Sequence, residues 1–144
     1  MHKTHSFLYM EAEKLLTHHN IRVTAVRLLV LKTIMHKSET FSLIDVEEWL
    51  PDMDRSSIFR TLRLFVDAQI LHEIDDGSGQ CKYCVCRCEG HDHLNHIHFA
   101  CTNCGKTYCL EDTSIPKVSL PEGFFPYDFE YIVKGVCPKC SNYA

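Results

Sequence analysis

The 144-residue chain has no apolar run that approaches a membrane span, which for a helix takes about 20 consecutive apolar residues. It has no low-complexity tract either, and its 45% hydrophobic content is that of a soluble globular protein. An excess of positive charge is also missing: 15 Lys and Arg stand against 19 Asp and Glu, for a net charge of −4. Such a surface is not a general polyanion binder, so a nucleic-acid partner would need basic residues grouped locally. No nucleotide-binding loop is present, and no catalytic base is placed against a lone nucleophile, which argues against a thiol-based redox enzyme. The opening MHKTHSFLYMEAEK puts Glu11, Glu13 and Lys14 where a signal peptide needs a continuous apolar stretch. A cytoplasmic location is therefore expected. At this length the chain makes one ordinary domain or two small ones.

Cysteine, in contrast, is abundant and odd in number, with nine residues. The cytoplasm keeps thiols reduced, so metal ligation explains these cysteines better than disulfides do. CTNC (Cys101, Cys104) and CPKC (Cys137, Cys140) are two C-x-x-C pairs, each resembling a zinc knuckle whose thiolates reach one tetrahedral ion. Between them KTYCLE and DFEYIVKGV have the character of strands. A sheet would bring the pairs together as one closed four-cysteine zinc site in a small α/β domain. The rival reading, two redox dithiols, lacks a helix N-terminus after either pair to lower a thiol pKa.

The stretch CKYCVCRCEGHDHLNHIHFACTNC, residues 81–104, holds six of the cysteines and four histidines. Setting Cys101 and Cys104 aside leaves Cys81, Cys84, Cys86 and Cys88 with His91, His93, His96 and His98. In a strand Cys84 and Cys86 share a face, and His72 on the preceding strand can lie across from them. His96 and His98, two apart, point the same way in an extended segment. His72, Cys86, His96 and His98 therefore form a candidate second centre. Its three imidazole nitrogens and one thiolate are a borderline-soft set that favours zinc over iron or manganese. Cys81, Cys84, Cys88, His91 and His93 are near enough in sequence to substitute.

The first half is helical in pattern. FLYMEAEKLLTHHN is a short amphipathic helix ending near Asn20. TAVRLLVLKTIMHK begins at a good N-cap, Thr24, and its apolar residues predict a central, largely buried helix. SLIDVEEWL opens with Ser42 and Asp45 at capping-box spacing, and Pro51 closes it. In DRSSIFRTLRLFVDAQI, Ile58, Leu62, Phe65 and Val66 make a core stripe, Arg60, Arg63 and Asp67 lie opposite, and Phe59 sits at the edge. ILHEID, the turn DDGSG and CKYCVC follow as a hairpin. This order fits a winged helix-turn-helix, with the last helix for the DNA major groove and the hairpin as wing. A small helical domain with a solvated basic face fits the same pattern.

The chain resembles the ferric-uptake-regulator family of bacterial metal-dependent repressors over nearly its full length. The resemblance rests on R-V-T-x-x-R (Arg22, Val23, Thr24, Arg27), S-I-F-R-T-L (Ser57 to Leu62), H-I-H-F-A-C-T-N-C-G-K (His96 to Lys106) and the closing C-P-K-C. It implies an α+β protein: a winged helix-turn-helix DNA-binding domain over 1–87, a hinge over 88–96, and a dimerisation and metal-binding domain over 97–144. It implies a homodimeric repressor, not an enzyme, that binds palindromic double-stranded operators. It also implies one structural zinc (Cys101, Cys104, Cys137, Cys140) and one regulatory metal per monomer.

The departures carry information. Two positions where iron-sensing members have Glu are Cys84 and Cys109, and one where they have His is Thr40. Positions matching a further site of some members are Ile97, Pro116 and Phe129, so that site is expected to be absent. His72, Cys86, His96 and His98 match the set of zinc-sensing members, with Cys84 and Cys109 as additional or substitute ligands. The resemblance therefore points to the zinc-uptake-regulator branch, with an iron- or peroxide-responsive regulator using Fe2+ as the alternative. In the recognition helix it assigns base contacts to Arg60 and Phe59, which suit guanine and a thymine methyl. Ser57, Arg22, Thr24 and Arg63 become backbone or flanking contacts.

Overall fold

The computed structural model describes residues 2–37, 39–85, 97–110, 113–127 and 129–142, with side chains from Met10 onward. Helix α1 (His2–His18) begins earlier than its apolar stripe does, because the polar residues at its start carry no periodicity. It ends before Asn20, whose φ of 58° is a left-handed conformation that Asn tolerates. Thr24 caps α2 (Ala25–Ile34), its side chain accepting from the Arg27 amide at 3.2 Å. Leu28, Val30, Leu31 and Ile34 of α2 are buried, but Val26 and Leu29 are exposed. The helix is thus buried along one face and not all round.

A two-residue strand β1 (Phe41–Ser42), too short to leave a pattern in the sequence, leads into α3 (Leu43–Trp49). Ser42 and Asp45 form the expected capping box: the Ser42 amide donates to Asp45 at 2.8 Å and the Asp45 amide to Ser42 at 3.3 Å. Helix α4 (Arg55–Asp67) is capped by Asp54, which accepts from the Ser57 amide at 3.0 Å. Ile58, Leu62 and Phe65 are fully buried and Val66 half-buried at the margin of the stripe. Each such large apolar side chain contributes about 1.5–3 kcal/mol by leaving water. They pack with Leu31, Ile34, Phe41, Ile70, Leu71 and Tyr83 in one core under the helices.

The hairpin β2 (Leu71–Asp75) and β3 (Cys81–Val85) pairs antiparallel in the register His72↔Cys84, and β1 adds to the other edge of β3. Helices α2, α3 and α4 backed by this small sheet make a winged helix. The second half forms its own sheet from β4 (Ile97–Cys101), β5 (Thr107–Leu110) and β6 (Tyr131–Gly135), in the order β5-β4-β6. β4 runs antiparallel to β5 with His98↔Cys109, and parallel to β6 with Cys101↔Gly135. The fold is α+β as expected, and the expected hinge at 88–96 lies outside the described residues. Among the described residues no helix is long and apolar enough to cross a membrane.

Candidate metal centres

Parallel pairing of β4 with β6 brings both C-x-x-C turns to one end of the second sheet. Tight turns hold each pair: Gly105 N–H donates to Cys101 O at 3.0 Å, and Ser141 N–H to Cys137 O at 2.9 Å. The four sulfurs of Cys101, Cys104, Cys137 and Cys140 lie within 4.8 Å of one another, with Cys104 and Cys137 Sγ 3.9 Å apart. Tetrahedral zinc with Zn–S bonds of about 2.3 Å sets sulfurs about 3.8 Å apart, so the four thiols fit that ion.

The site is also built to hold thiolates. Amides of Cys104 and Cys137 donate to Cys101 Sγ at 3.5 and 3.3 Å, and these bonds draw its pKa down to about 6. The Cys140 amide lowers the Cys137 thiol in the same way. Asn103 works to lower Cys140, but Cys137, burial and the other two thiols together push it up to about 11. Backbone amides thus favour the thiolate form at the two buried cysteines, Cys101 and Cys137.

A second group of donors lies between the two sheets. Cys84 Sγ of β3, a ring nitrogen of His98 on β4 and Cys109 Sγ of β5 lie within 4.8 Å of one another. Cys84 is the direct cross-strand neighbour of His72, and Cys109 that of His98. Two His–Cys rungs, one from the wing and one from the second sheet, therefore supply the seam. Nε2 of both His72 and His98 is shut off from solvent. Two sulfurs and imidazole nitrogen make a borderline-soft donor set that suits zinc.

The other expected donors divide. Cys86, Cys88, His91, His93 and His96 lie outside the described residues. Cys81 is described but does not join the cluster. It is an odd number of residues from Cys84, on the opposite face of β3, where burial and the Glu73 charge push its thiol up. Ile97 is buried and Phe129 stacks on Tyr131 with centroids 6.3 Å apart. The Thr40 hydroxyl donates to Thr107 O at 2.8 Å across the seam, a bond its residue type alone does not reveal.

The same seam holds a buried polar network. Lys82 Nζ lies 2.6 Å from Asp76 Oδ2, and donates to Gly105 O at 2.6 Å and Thr107 Oγ1 at 3.2 Å. The Thr107 hydroxyl donates to Asp76 Oδ2 at 2.6 Å. Burial alone would raise the Asp76 carboxyl, but bonds from Lys82, Ser78 and Thr107 hold it well below the usual carboxylate range. Lys82 and Asp76 escaped sequence reading because a charged residue beside a wing turn is ordinarily solvated.

On the winged helix, Phe59 is 49% exposed and Arg60 is exposed, with Arg60 Nε donating to Ser56 O at 3.3 Å. Thr24, Arg27, Ser57 and Arg60 help line a groove of about 400 Å³ between α2 and α4. Arg22 is exposed beside it, its carbonyl accepting from Arg27 Nη1 at 2.8 Å. The Ser57 hydroxyl is engaged by Asp54 at 2.7 Å. Arg63, expected as a flanking contact, is exposed; it bonds Glu73 of the wing at 3.0 Å and lies 3.7 Å from Asp67. Arg27, assigned no role from sequence although it belongs to the R-V-T-x-x-R motif, sits in the groove.

A winged helix joined to a second sheet through a seam of cysteine and histidine donors is the build of a metal-responsive transcription regulator. The sequence model of the ferric uptake regulator family matches residues 18–121. The chain belongs to that family, whose members regulate transcription and are not enzymes. The ferric uptake regulation protein of Campylobacter jejuni is 26% identical over 140 residues, covering 90% of this chain and 86% of that protein. That of Bacillus subtilis is 27% identical over 128 residues, covering 84% and 83%. Among solved structures, a zinc uptake regulator complexed with zinc and DNA superposes with a TM-score of 0.66 at 19% identity, covering 95% of each chain.

Proposed function

We propose that this protein is a zinc-responsive, homodimeric repressor that binds palindromic operators of metal-uptake genes in the cytoplasm. Residues 1–87 form the DNA-binding arm, 88–96 the hinge, and 97–144 the dimerisation and metal-binding part. The observation that carries the reading is the donor set of the seam, where Cys84 and Cys109 meet His98. Thiolate replaces oxygen at the two positions where iron-sensing relatives hold carboxylates, which shifts preference from iron toward zinc. A homologous fold solved with zinc and DNA supports the same assignment.

The four-cysteine set is the structural site. The regulatory site takes His72 and Cys84 from the wing and His98 and Cys109 from the second sheet, and Cys86 and His96 are the alternative donors. Bound there, zinc supplies a cross-link between the two parts of the chain. Cys84 and His72 would then fix the wing, which is joined to α4 through the shared core of Phe65, Ile70 and Leu71, so that Arg60 and Phe59 are presented at one spacing in the dimer. The exposed Phe124, Phe125, Tyr127 and Val133 of the second half support a self-association surface. Because the curated relatives carry ferric uptake names, an iron-responsive regulator is the second reading. Metal analysis before and after mild chelation, followed by operator binding with Zn(II) or Fe(II) restored, separates them. Two zincs per chain and activation by Zn(II) are expected; activation by Fe(II) with indifference to Zn(II) would replace zinc by iron.

A further inference from the structure

Among the described residues, the two strands that carry the seam sulfurs share no backbone ladder. β3 is the middle strand of its sheet, with β1 and β2 on its edges, and β5 is an edge strand of the other. Besides the bridge Glu39↔Tyr108 and the Thr40 bonds to Thr107, side-chain contacts set β3 against β5. Lys82 and Cys84 are two apart on β3, and Thr107 and Cys109 are two apart on β5, so each pair shares a face. Lys82 meets Thr107 at 3.2 Å and Cys84 meets Cys109 within 4.8 Å. These are consecutive rungs between facing strands. A slip of one residue, about 3.3 Å, of β3 along β5 would carry Cys84 away from Cys109.

We infer that Thr107, with Lys82 and Asp76, is a positioning device that holds the wing in the register where Cys84 and Cys109 meet. The inference rests on the seam being the regulatory site. The network is complete without any donor of that site. Lys82 and Asp76 face each other with side chains only 10% and 3% exposed. A buried ion pair is a weak source of net stability compared with apolar packing, and its best-attested use is to specify a register. Thr107, 1% exposed, joins the pair to the strand that runs from the first zinc knuckle to Cys109. The network thereby biases the wing toward this register before metal arrives, and an ion held by the seam donors would fix it there.

The test compares wild type with Thr107→Val, which keeps shape and loses the hydroxyl, and Thr107→Ser, which keeps the hydroxyl. Zinc affinity at the second site is measured by competition with a chromophoric chelator, and retained zinc after chelation reports the four-cysteine site. In Thr107→Val the second-site affinity falls about tenfold while the first zinc is retained, and operator affinity recovers at saturating zinc. Thr107→Ser stays within about twofold of wild type. Should Thr107→Val lose its first zinc through misfolding, Asp76→Asn carries the comparison and shows the same weakening. Second-site affinity unchanged in the folded variants, or lost equally in the Val and Ser variants, overturns the positioning role alone. A wild-type chain that takes up a single zinc overturns the regulatory reading and this inference with it.

Discussion

Replacing Cys109 with serine removes one sulfur from the seam and leaves every donor of the four-cysteine site in place. Four-ligand zinc sites in small domains are worth about 10–16 kcal/mol in apparent affinity. An average ligand therefore carries about 3 kcal/mol, roughly a hundredfold in Kd at 1.4 kcal/mol per tenfold. Cys109→Ser should bind its first zinc as wild type does and its second about a hundredfold more weakly. Because coupling between sites is reciprocal, operator affinity at limiting zinc should fall by the coupling factor, typically 5–150-fold. It should recover as zinc is raised. Calorimetric zinc titration with fluorescence anisotropy on a labelled operator measures both quantities on one preparation. Cys86→Ser is the companion variant, expected to change either quantity by less than about threefold on the same scale. If Cys109→Ser takes up two zincs with wild-type affinity while Cys86→Ser loses the second, the donor set is His72, Cys86, His96 and His98. The geometric grouping of Cys84, His98 and Cys109 would then be incidental.

Three further outcomes are expected. Arg60→Ala and Phe59→Ala should each weaken operator binding by about 1–3 kcal/mol without altering zinc uptake; equal loss on scrambled DNA would remove them from base reading. Complete chelation should strip on the order of 10 kcal/mol from the second half, so amides of Ile97–Cys101 become exchangeable while those of α2 and α4 stay protected. Uniform loss of protection would instead make the four-cysteine site a support for the whole chain. Asp76, with its carboxyl held low, contributes stability that is full above its unfolded pKa of about 3.9 and disappears as pH falls through the lower folded value. The stability difference between wild type and Asp76→Asn should be flat from about pH 5 to 8 and shrink below about pH 4. A difference that already shrinks near neutrality would contradict the bonding around Asp76.

Local chemistry made much of this molecule legible. Thr24, Ser42 with Asp45, and the stripe of Ile58, Leu62 and Phe65 announce three helices because caps and apolar period act within a few residues. Each C-x-x-C turn announces a pair of converging thiols for the same reason. What was not legible is set by contacts distant in sequence. β1 exists only because β3 offers it an edge. Cys109 becomes a neighbour of Cys84 only when β5 is laid against the wing; residue spacing alone pointed to Cys86 and His96, and Cys109 entered through comparison with a family pattern. Lys82 and Asp76 have the composition of a solvated wing, and burial by the second sheet is what turns them into a network.

The hairpin of β4 and β5 carries donors of both candidate centres, His98 and Cys109 for one and Cys101 and Cys104 for the other. If the chain is the zinc sensor proposed above, a newly synthesised molecule fills its knuckles before the platform for the other ion exists. Each molecule would then consume one zinc before it could sense, and would report only on what remains. The first site would have to hold zinc more tightly than the second, or a starved cell would accumulate unfinished regulator. The number of copies a cell makes would set a floor beneath the zinc level it could register.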